Sequence, residues 1–231
     1  METIKAITLD FGGTLANGEL NKENYKRALL DYILRLGYSG GRAKLGKARA
    51  AMLERLRKAH EKNRELRFEE LYQGLLFDLG LHPNQERLDY IEQLYYRFFR
   101  IDLVPGLREM LVDLSGKYHL AIISNVTSNA SRLVLKKFDL EQYFDQVVLS
   151  RDLGIRKPDP EIFNFTLENL GVKSSEAVHV GDCLEHDVQG AKNSGMKTVW
   201  IKRDNGTANV HPDFIISKVT ELPSLFFCFS C

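Results

Sequence analysis

The pattern of apolar and polar residues divides the chain into three stretches. Residues 4–11 form a mainly apolar run typical of a buried strand, and the pair Gly12-Gly13 ends it. Between residues 21 and 100 apolar residues recur at helical spacing, without an interrupting strand pattern. After Pro105-Gly106 short apolar runs alternate with helical segments, which is typical of a parallel sheet covered by helices on both faces.

Three apolar faces predict amphipathic helices in the central stretch, and Gly37 and Gly80 follow two of them as natural stops. A more basic segment of helical character, residues 42–67, lies between the first two. The faces consist of Tyr25, Ala28, Leu29, Tyr32, Ile33 and Leu36, then Phe68, Leu71, Tyr72, Leu75, Leu76 and Leu79, and finally Leu88, Ile91, Tyr95, Phe98 and Phe99.

The expected architecture is a Rossmann-like, three-layer α/β core with a parallel sheet and an inserted, all-helical cap. We expect residues 1–15 and 104–231 to form the core domain and residues 16–103 to form the cap. Further strands are predicted at Tyr118 to Ser124, Gln146 to Leu149, Ala177 to Val180, Thr198 to Ile201 and Phe214 to Ile216.

Composition indicates which binding partners and which cellular compartment to expect. The chain has 231 residues, 44% hydrophobic residues and a net charge of +1, so nothing favours nucleic acid or an anionic membrane as a partner. No apolar run reaches the length of a membrane span and no signal peptide is recognised, so we expect a cytoplasmic protein. Monomer and homodimer both stay open.

Three cysteines are too few for a disulfide scaffold. The terminal pair Cys228 and Cys231 invites three interpretations, which are half a zinc site, a redox pair and a lipidation signal. A second cysteine pair for zinc is missing, and Ser230 does not fit the lipidation pattern. A hydrophobic tail that packs on the last helix is the preferred interpretation.

Polar residues follow several of the predicted strands. Asp10 ends the first, Ser124-Asn125 ends the second, and Gly181-Asp182 ends a later one, with Asp187 on the following helix. Lys157 precedes a helix that Asp159 can cap and Pro160 can begin. Ligands of open parallel sheets bind at the carboxyl ends of the strands, so these side chains should converge on one edge.

This set of residues has a chemical logic. Asp10 can attack an electrophile and form a covalent intermediate. Clustered carboxylates repel one another, and a hard cation such as Mg²⁺ relieves the repulsion while leaving positions for phosphate and water. Lys157 and Ser124 would supply a positive charge and a donor for phosphoryl oxygens, and Asn125 is a further candidate for binding the substrate.

The order of these motifs resembles that of the haloacid dehalogenase-like hydrolases. The segment Asp10-Phe11-Gly12-Gly13-Thr14-Leu15 resembles the first motif of the family. Ser124, Lys157 and the segment from Gly181 to Asp187 resemble the second, third and fourth, in the family's order. The resemblance covers nearly the whole chain, because the helical insertion lies where the family places its cap.

The resemblance implies a hydrolase of a small phosphorylated metabolite that uses Mg²⁺. Asp10 would be the nucleophile, and Ser124 and Lys157 would bind phosphate. Asp10, Asp182 and Asp187 would ligate Mg²⁺ through their side chains, and Gly12 through its backbone carbonyl.

One departure from the family pattern concerns Gly12. Phosphatases of the family usually carry a second Asp at this position as general acid and base. Loss of such a group costs about 10²- to 10⁴-fold in rate. A 2-haloacid dehalogenase, which tolerates Gly12 but needs no metal, therefore stays an alternative, as do a phosphonoacetaldehyde hydrolase and a binding protein with weakened turnover. His186 is a candidate substitute for the acid-base group.

The basic segment has two interpretations. It holds ten Lys or Arg against three Glu, so a solvated helix face explains it well. Alternatively its first part, Ser39 to Lys44, forms a cap loop that approaches the active site. In that case Arg42 and Lys44 would bind an anionic substrate.

Overall fold

The computed structural model describes residues 3–203 and 210–227, and these residues form two compact units. One unit takes in the described chain up to Asn17 and from Asp102 onward, and the other is the insertion Gly18–Ile101. The terminal cysteines, and with them the preferred packing of the tail, lie outside the described residues. Within the described part of the chain, no helix is long and apolar enough to cross a membrane.

A six-stranded parallel sheet is the centre of the larger unit, in the order β5-β4-β1-β6-β7-β8. The first strand, β1, lies between β4 and β6 and is fully buried, which explains why its sequence is a continuous apolar run. The strands of the chain are β1 Ala6–Leu9, β2 Ala16–Leu20, β3 Phe99–Leu103, β4 His119–Ser124, β5 Gln146–Leu149, β6 Ala177–Gly181, β7 Lys197–Ile201 and β8 Phe214–Ile216.

Helices flank the sheet, as the alternating pattern predicts. On one face Ile162, Phe163 and Leu167 pack against Ile123 and Val148 of the sheet. This confirms the predicted Rossmann-like, three-layer α/β fold with an inserted helical cap. The helices of the chain are α1 Lys22–Arg35, α2 Gly41–His60, α3 Phe68–Asp78, α4 Gln85–Phe98, α5 Leu107–Ser115, α6 Ala130–Lys137, α7 Ser150–Leu153, α8 Pro160–Leu170, α9 Gly190–Asn193 and α10 Leu222–Phe227, with a π-helical turn Leu184–Gln189 before α9.

The insertion packs the predicted apolar faces around one core of its own, except that Phe99 of the third face begins strand β3 and does not belong to a helix. Every residue of the second predicted face is buried, and α2 contributes only Ala48 to the buried set. Gly37 and Gly80 have φ values of +89° and +77°, the left-handed conformation in which glycine is favoured after a helix. Because Ala48 is the only buried residue of the long basic helix α2, that helix is largely solvated.

Two short strands, β2 and β3, pair with each other at the junctions of the two units, and the sequence pattern missed both. A Cβ atom on Gly18 would lie 2.6 Å from Cζ of Phe99, so a larger residue would require the Phe99 ring to shift. The segment Ala16–Leu20 lacks β-branched residues and is mostly exposed, which leaves little local signal.

The core of the helical unit gives a direct test of its packing. Leu75 is fully buried on α3, whereas Phe77 on the same helix is 76% exposed. We expect Leu75→Ala to lower the free energy of unfolding by about 2–5 kcal/mol, because a cavity remains in place of the side chain. The matched control Phe77→Ala should change it by less than about 0.5 kcal/mol. Equal effects of the two substitutions in chemical denaturation would contradict this packing.

Candidate active site

Asp10 lies immediately after the central strand β1. Its backbone N–H donates to the carbonyl of Val180 on β6 at 2.9 Å, so the strand pairing fixes its position. The turn that follows brings Gly13 against Asp182. A Cβ atom on Gly13 would lie 2.0 Å from Oδ2 of Asp182, and the φ of Gly13 is +83°. Glycine is therefore required here for two independent reasons, conformation and space.

Lys157 lies between two carboxylates. Its Nζ atom is 2.8 Å from Oδ1 of Asp10 and 2.6 Å from Oδ1 of Asp187. The lysine is 1% exposed, and both carboxylates are buried with it. Such a buried ammonium is tolerated because it is paired and hydrogen-bonded on two sides. The predicted convergence of Asp10, Lys157 and Asp187 is therefore present in the structure.

The position of Lys157 is set by its backbone. The side-chain amide of Asn125 donates from Nδ2 to the carbonyl of Lys157 at 2.9 Å and accepts from its N–H at 2.8 Å. The peptide bond between Lys157 and Pro158 is cis. As predicted, the side chain of Asp159 caps α8, and Pro160 begins the helix. Asn125 thus contacts Lys157, and its role in binding the substrate stays a prediction.

Asp10, Asp182 and Asp187 form an acidic cluster. One carboxylate oxygen from each lies within 4.8 Å of the other two, a spacing that fits a single metal ion. Asp10 and Asp187 are buried, whereas the side chain of Asp182 is 28% exposed. Oxygen donors of this kind suit a hard divalent cation such as Mg²⁺, which retains several waters. The missing Cβ of Gly13 leaves the room that the Asp182 carboxylate occupies.

Burial and charge separate the pKa values of these carboxylates. Burial raises the pKa of Asp10 from its ordinary value of 3.8 to about 7, and the charge of Asp187 adds to the rise while Lys157 opposes it. Burial alone would also raise the pKa of Asp187, but Lys157 and the hydrogen bond from His179 outweigh it and lower the pKa. Burial and the Asp187 charge raise the pKa of Asp182. The cluster therefore favours a bound cation.

The remaining predicted residues are distributed over both units. Ser124 is the last residue of β4 and is buried at the carboxyl edge of the sheet. Gly12 is exposed in the turn after Asp10, and its predicted role as a carbonyl ligand stays a prediction. Arg42 and Lys44 belong to the helical unit, where both are exposed in the first turn of α2. Because α2 begins at Gly41, the segment 41–44 is helix and not the loop considered above.

Two residues that the sequence analysis did not single out lie next to the cluster: His179 contacts Asp187, and Thr8 contacts His179. His179 on β6 places Nε2 3.1 Å from Oδ1 of Asp187 and Nδ1 2.8 Å from Oγ1 of Thr8 on β1. Burial lowers the pKa of His179 from its ordinary value, which favours the neutral ring. The available signal was one polar residue inside each of two otherwise apolar strands.

His186, the alternative acid-base candidate, is half-buried in the π-helical turn. Its backbone N–H donates to Sγ of Cys183 at 3.4 Å, and burial lowers the pKa of its ring. Arg203, which the sequence did not single out either, lies with Nε 3.8 Å from Oδ2 of Asp182.

Comparison with known proteins identifies the family of the chain. The family model of the haloacid dehalogenase-like hydrolases matches residues 7–201. Glyceraldehyde 3-phosphate phosphatase of Pyrococcus furiosus is 31% identical over 97% of this chain and 92% of its own length. N-acylneuraminate-9-phosphatase of Rattus norvegicus is 33% identical, but the match covers 58% of this chain and 56% of the rat protein. A 2-haloacid dehalogenase of Pseudomonas syringae has a similar fold, with a TM-score of 0.76, 24% identity and coverage of 98% of this chain and 100% of its own.

The chain belongs to the haloacid dehalogenase-like hydrolases, which confirms the resemblance drawn from the four motifs. It is therefore a hydrolase, and the phosphatases among its relatives support the phosphatase type.

The raised pKa of Asp10 predicts how stability depends on pH without metal. Between pH 3.8 and about 7 the folded state binds the Asp10 proton more tightly than the unfolded state does. The contribution of Asp10 to the free energy of unfolding therefore falls as the pH rises through this range. In EDTA, the free energy of unfolding of Asp10→Asn minus that of the wild type should therefore increase as the pH rises through this range.

Denaturant unfolding at several pH values checks this expectation. Asp113→Asn, an exposed substitution on α5, is the control and should keep a constant difference from the wild type. Parallel pH profiles for the wild type and Asp10→Asn would contradict the raised pKa.

Proposed function

We propose that this hydrolase is a Mg²⁺-dependent phosphatase that acts on a small phosphorylated metabolite through an aspartyl-phosphate at Asp10. The observation that carries the proposal is the Lys157 ammonium, which Asp10 and Asp187 share. A carboxylate oxygen of Asp182 lies within 4.8 Å of one from each of these two residues, so the three could hold one metal ion. A Lewis acid, a phosphoryl-binding cation and a carboxylate nucleophile are the components that phosphoryl transfer requires. The phosphatase relatives support the same reaction class.

In the first step a carboxylate oxygen of Asp10 attacks phosphorus, and the bond from phosphorus to the leaving oxygen breaks. Lys157 already donates to Oδ1 of Asp10, so Oδ2 is the oxygen proposed to attack. The Lys157 ammonium also stabilises negative charge on the phosphoryl oxygens in the transition state. The leaving oxygen departs with the bonding electrons and takes up a proton.

In the second step a water molecule attacks the phosphorus of phospho-Asp10. The bond from phosphorus to the Asp10 oxygen breaks, inorganic phosphate leaves, and the carboxylate is restored. Asp182, Asp187 and Asp10 would hold Mg²⁺, with the Gly12 carbonyl as a further proposed ligand. The cation would neutralise the carboxylates and polarise the phosphoryl group.

Ser124 is proposed to donate to a phosphoryl oxygen from the end of β4. Arg42 and Lys44 are proposed to bind the anionic part of the substrate, which the basic character of α2 supports. Cytoplasmic localisation and activity as a monomer or homodimer are part of the same proposal.

A dehalogenase is the second candidate, and two observations favour it. Gly12 replaces the usual acid-base Asp, and the fold closely matches a 2-haloacid dehalogenase. The acidic cluster argues against it, because displacement at carbon by Asp10 needs no metal. A panel of phosphate esters, acyl phosphates and 2-haloacids, each with and without Mg²⁺, separates the two candidates.

Metal dependence is the first test of the proposed function. We expect EDTA to abolish phosphate release and Mg²⁺ to restore it, because three clustered carboxylates need a cation to accept a phosphate dianion. Asp182→Ala should lower the rate at least about 100-fold, since metal stabilisation of the transition state amounts to several kcal/mol. The control Asp113→Ala should keep the wild-type rate. Full turnover of 2-haloacids in EDTA would instead establish the dehalogenase.

Gly12 provides the second test. Without a carboxylic acid at this position, the wild type should cleave aryl and acyl phosphates far better than alkyl phosphates, because an alkoxide needs a proton as it leaves. The described part of the structure has room for the change: no heavy atom lies within 4 Å of a Cβ built on Gly12, and its φ is outside the left-handed region. Gly12→Asp should raise alkyl-phosphate turnover by about 10-fold or more.

Rapid-quench kinetics checks the same change through the intermediate. The wild type should show a burst of leaving group as phospho-Asp10 accumulates, and Gly12→Asp should shrink it. Gly12→Asn is the matched control, with the same size but no transferable proton, and should keep the wild-type preference. Equal behaviour of the Asp and Asn variants would assign the acid-base function elsewhere, with His186 and Glu185 to be tested next.

A further inference from the structure

A chain of hydrogen bonds runs from the acidic cluster into the core of the sheet. Asp187 accepts at Oδ1 from Lys157 Nζ and from His179 Nε2–H, and at Oδ2 from the backbone N–H of Cys183 at 2.9 Å. His179 in turn contacts Oγ1 of Thr8 at 2.8 Å. Thr8 and His179 are adjacent in the pairing of β1 with β6, and both are at most 1% exposed.

The arrangement fixes which ring nitrogen carries the proton. An ionised carboxylate only accepts, so Nε2 must carry a proton and be the donor to Asp187. Nδ1 then accepts from the Thr8 hydroxyl, whose other available acceptor, the Val178 carbonyl, is more distant at 3.5 Å. The ring of Phe163 on α8 packs edge-on against the imidazole, with the centroids 5.0 Å apart at 87°. The imidazole is thus held by Thr8, Phe163 and Asp187.

Counting lone pairs shows what this does to Asp187. Two donors occupy Oδ1 and one occupies Oδ2, which leaves a single lone pair, on Oδ2. If the bond from His179 were lost, Oδ1 would keep only Lys157, and the carboxylate could rotate. Rotation would alter both the pairing with Lys157 and the oxygen offered to a cation.

We propose that His179, held by Thr8, is a positioning residue that orients the Asp187 carboxylate for Mg²⁺ and for its ion pair with Lys157. This inference rests on the proposed metal-dependent function and extends it to residues outside the acidic cluster. Hydrogen bonds of this kind, from groups behind the metal ligands, typically change metal affinity or activity by about 10- to 100-fold.

Titration of the metal-free protein with Mg²⁺ in a calorimeter tests the proposal. His179→Phe, which keeps the ring but loses both hydrogen bonds, should weaken Mg²⁺ binding by about 10- to 100-fold. His179→Gln retains a donor toward Asp187 and should recover most of the affinity. Thr8→Val should lose less Mg²⁺ affinity than His179→Phe, because the imidazole remains. Thr8→Ser should bind Mg²⁺ with wild-type affinity, because it keeps the hydroxyl.

Thr166→Val is the matched control for loss of a buried hydroxyl. Thr166 is as buried as Thr8, but its Oγ1 donates to the Ile162 carbonyl on α8, away from the cluster. This variant should keep the wild-type Mg²⁺ affinity even if its thermal stability falls.

In rate measurements, His179→Phe should raise the Mg²⁺ concentration for half-maximal activity more than it lowers kcat at saturating Mg²⁺.

A second measurement is independent of turnover and of metal. Long-range ¹H–¹⁵N spectra of histidine-labelled, metal-free protein should show the His179 ring protonated at Nε2 and bare at Nδ1. A His179 ring that carries no proton on Nε2 would overturn the proposal, and so would wild-type Mg²⁺ affinity in a folded His179→Phe protein. If that variant fails to fold, two other results together would overturn the proposal. They are wild-type Mg²⁺ affinity in Thr8→Val, and equal Mg²⁺ affinities in His179→Gln and in His179→Asn, whose side chain is shorter.

Failure of the proposed function looks different. A wild-type protein that binds no Mg²⁺ and releases no phosphate overturns the phosphatase and the metal part of this inference together. In that case the ring spectrum still decides whether His179 donates to Asp187.

Discussion

The site depends on one buried ammonium. Lys157 has almost no contact with water, so its charge is tolerable only because Asp10 and Asp187 lie within 3 Å on two sides. Removing Lys157 would leave two buried carboxylates without a counter-ion, which is more costly than losing the interaction itself. The proposed nucleophile Asp10, the proposed phosphoryl-binding cation Lys157 and the proposed metal ligand Asp187 are thus coupled energetically.

The surrounding fold supplies the geometry that this triad requires. Asp10 is fixed by the pairing of β1 with β6, Lys157 by the amide of Asn125, and Asp187 by the Cys183 backbone and His179. These contacts join segments that are far apart in the sequence. The order β4-β1-β6 brings their carboxyl ends side by side, and a parallel sheet makes this possible because its strands all end at the same edge.

Much of this arrangement follows from the sequence because the signals are local. β5 and β8 have the predicted bounds, since short apolar runs flanked by polar residues specify strands. Asp10 and Asp182 were found because they follow such runs. β2 and β3 were missed because each has its partner some eighty residues away and neither has a distinctive composition. The bonds of His179 and Asn125 were equally out of reach, because a sequence shows neither which atoms meet nor which ring nitrogen is protonated.

The open position at Gly12 has a consequence for how such a protein changes over generations. Two of the four glycine codons become an aspartate codon by a single base change, and the described surroundings offer neither a clash nor backbone strain to oppose the substitution. The scaffold is therefore permissive at the one position that distinguishes it from a typical phosphatase of its family. Steric fit and backbone strain therefore do not decide whether a lineage carries glycine or aspartate at this position, which leaves the chemistry of the leaving group free to act on the choice.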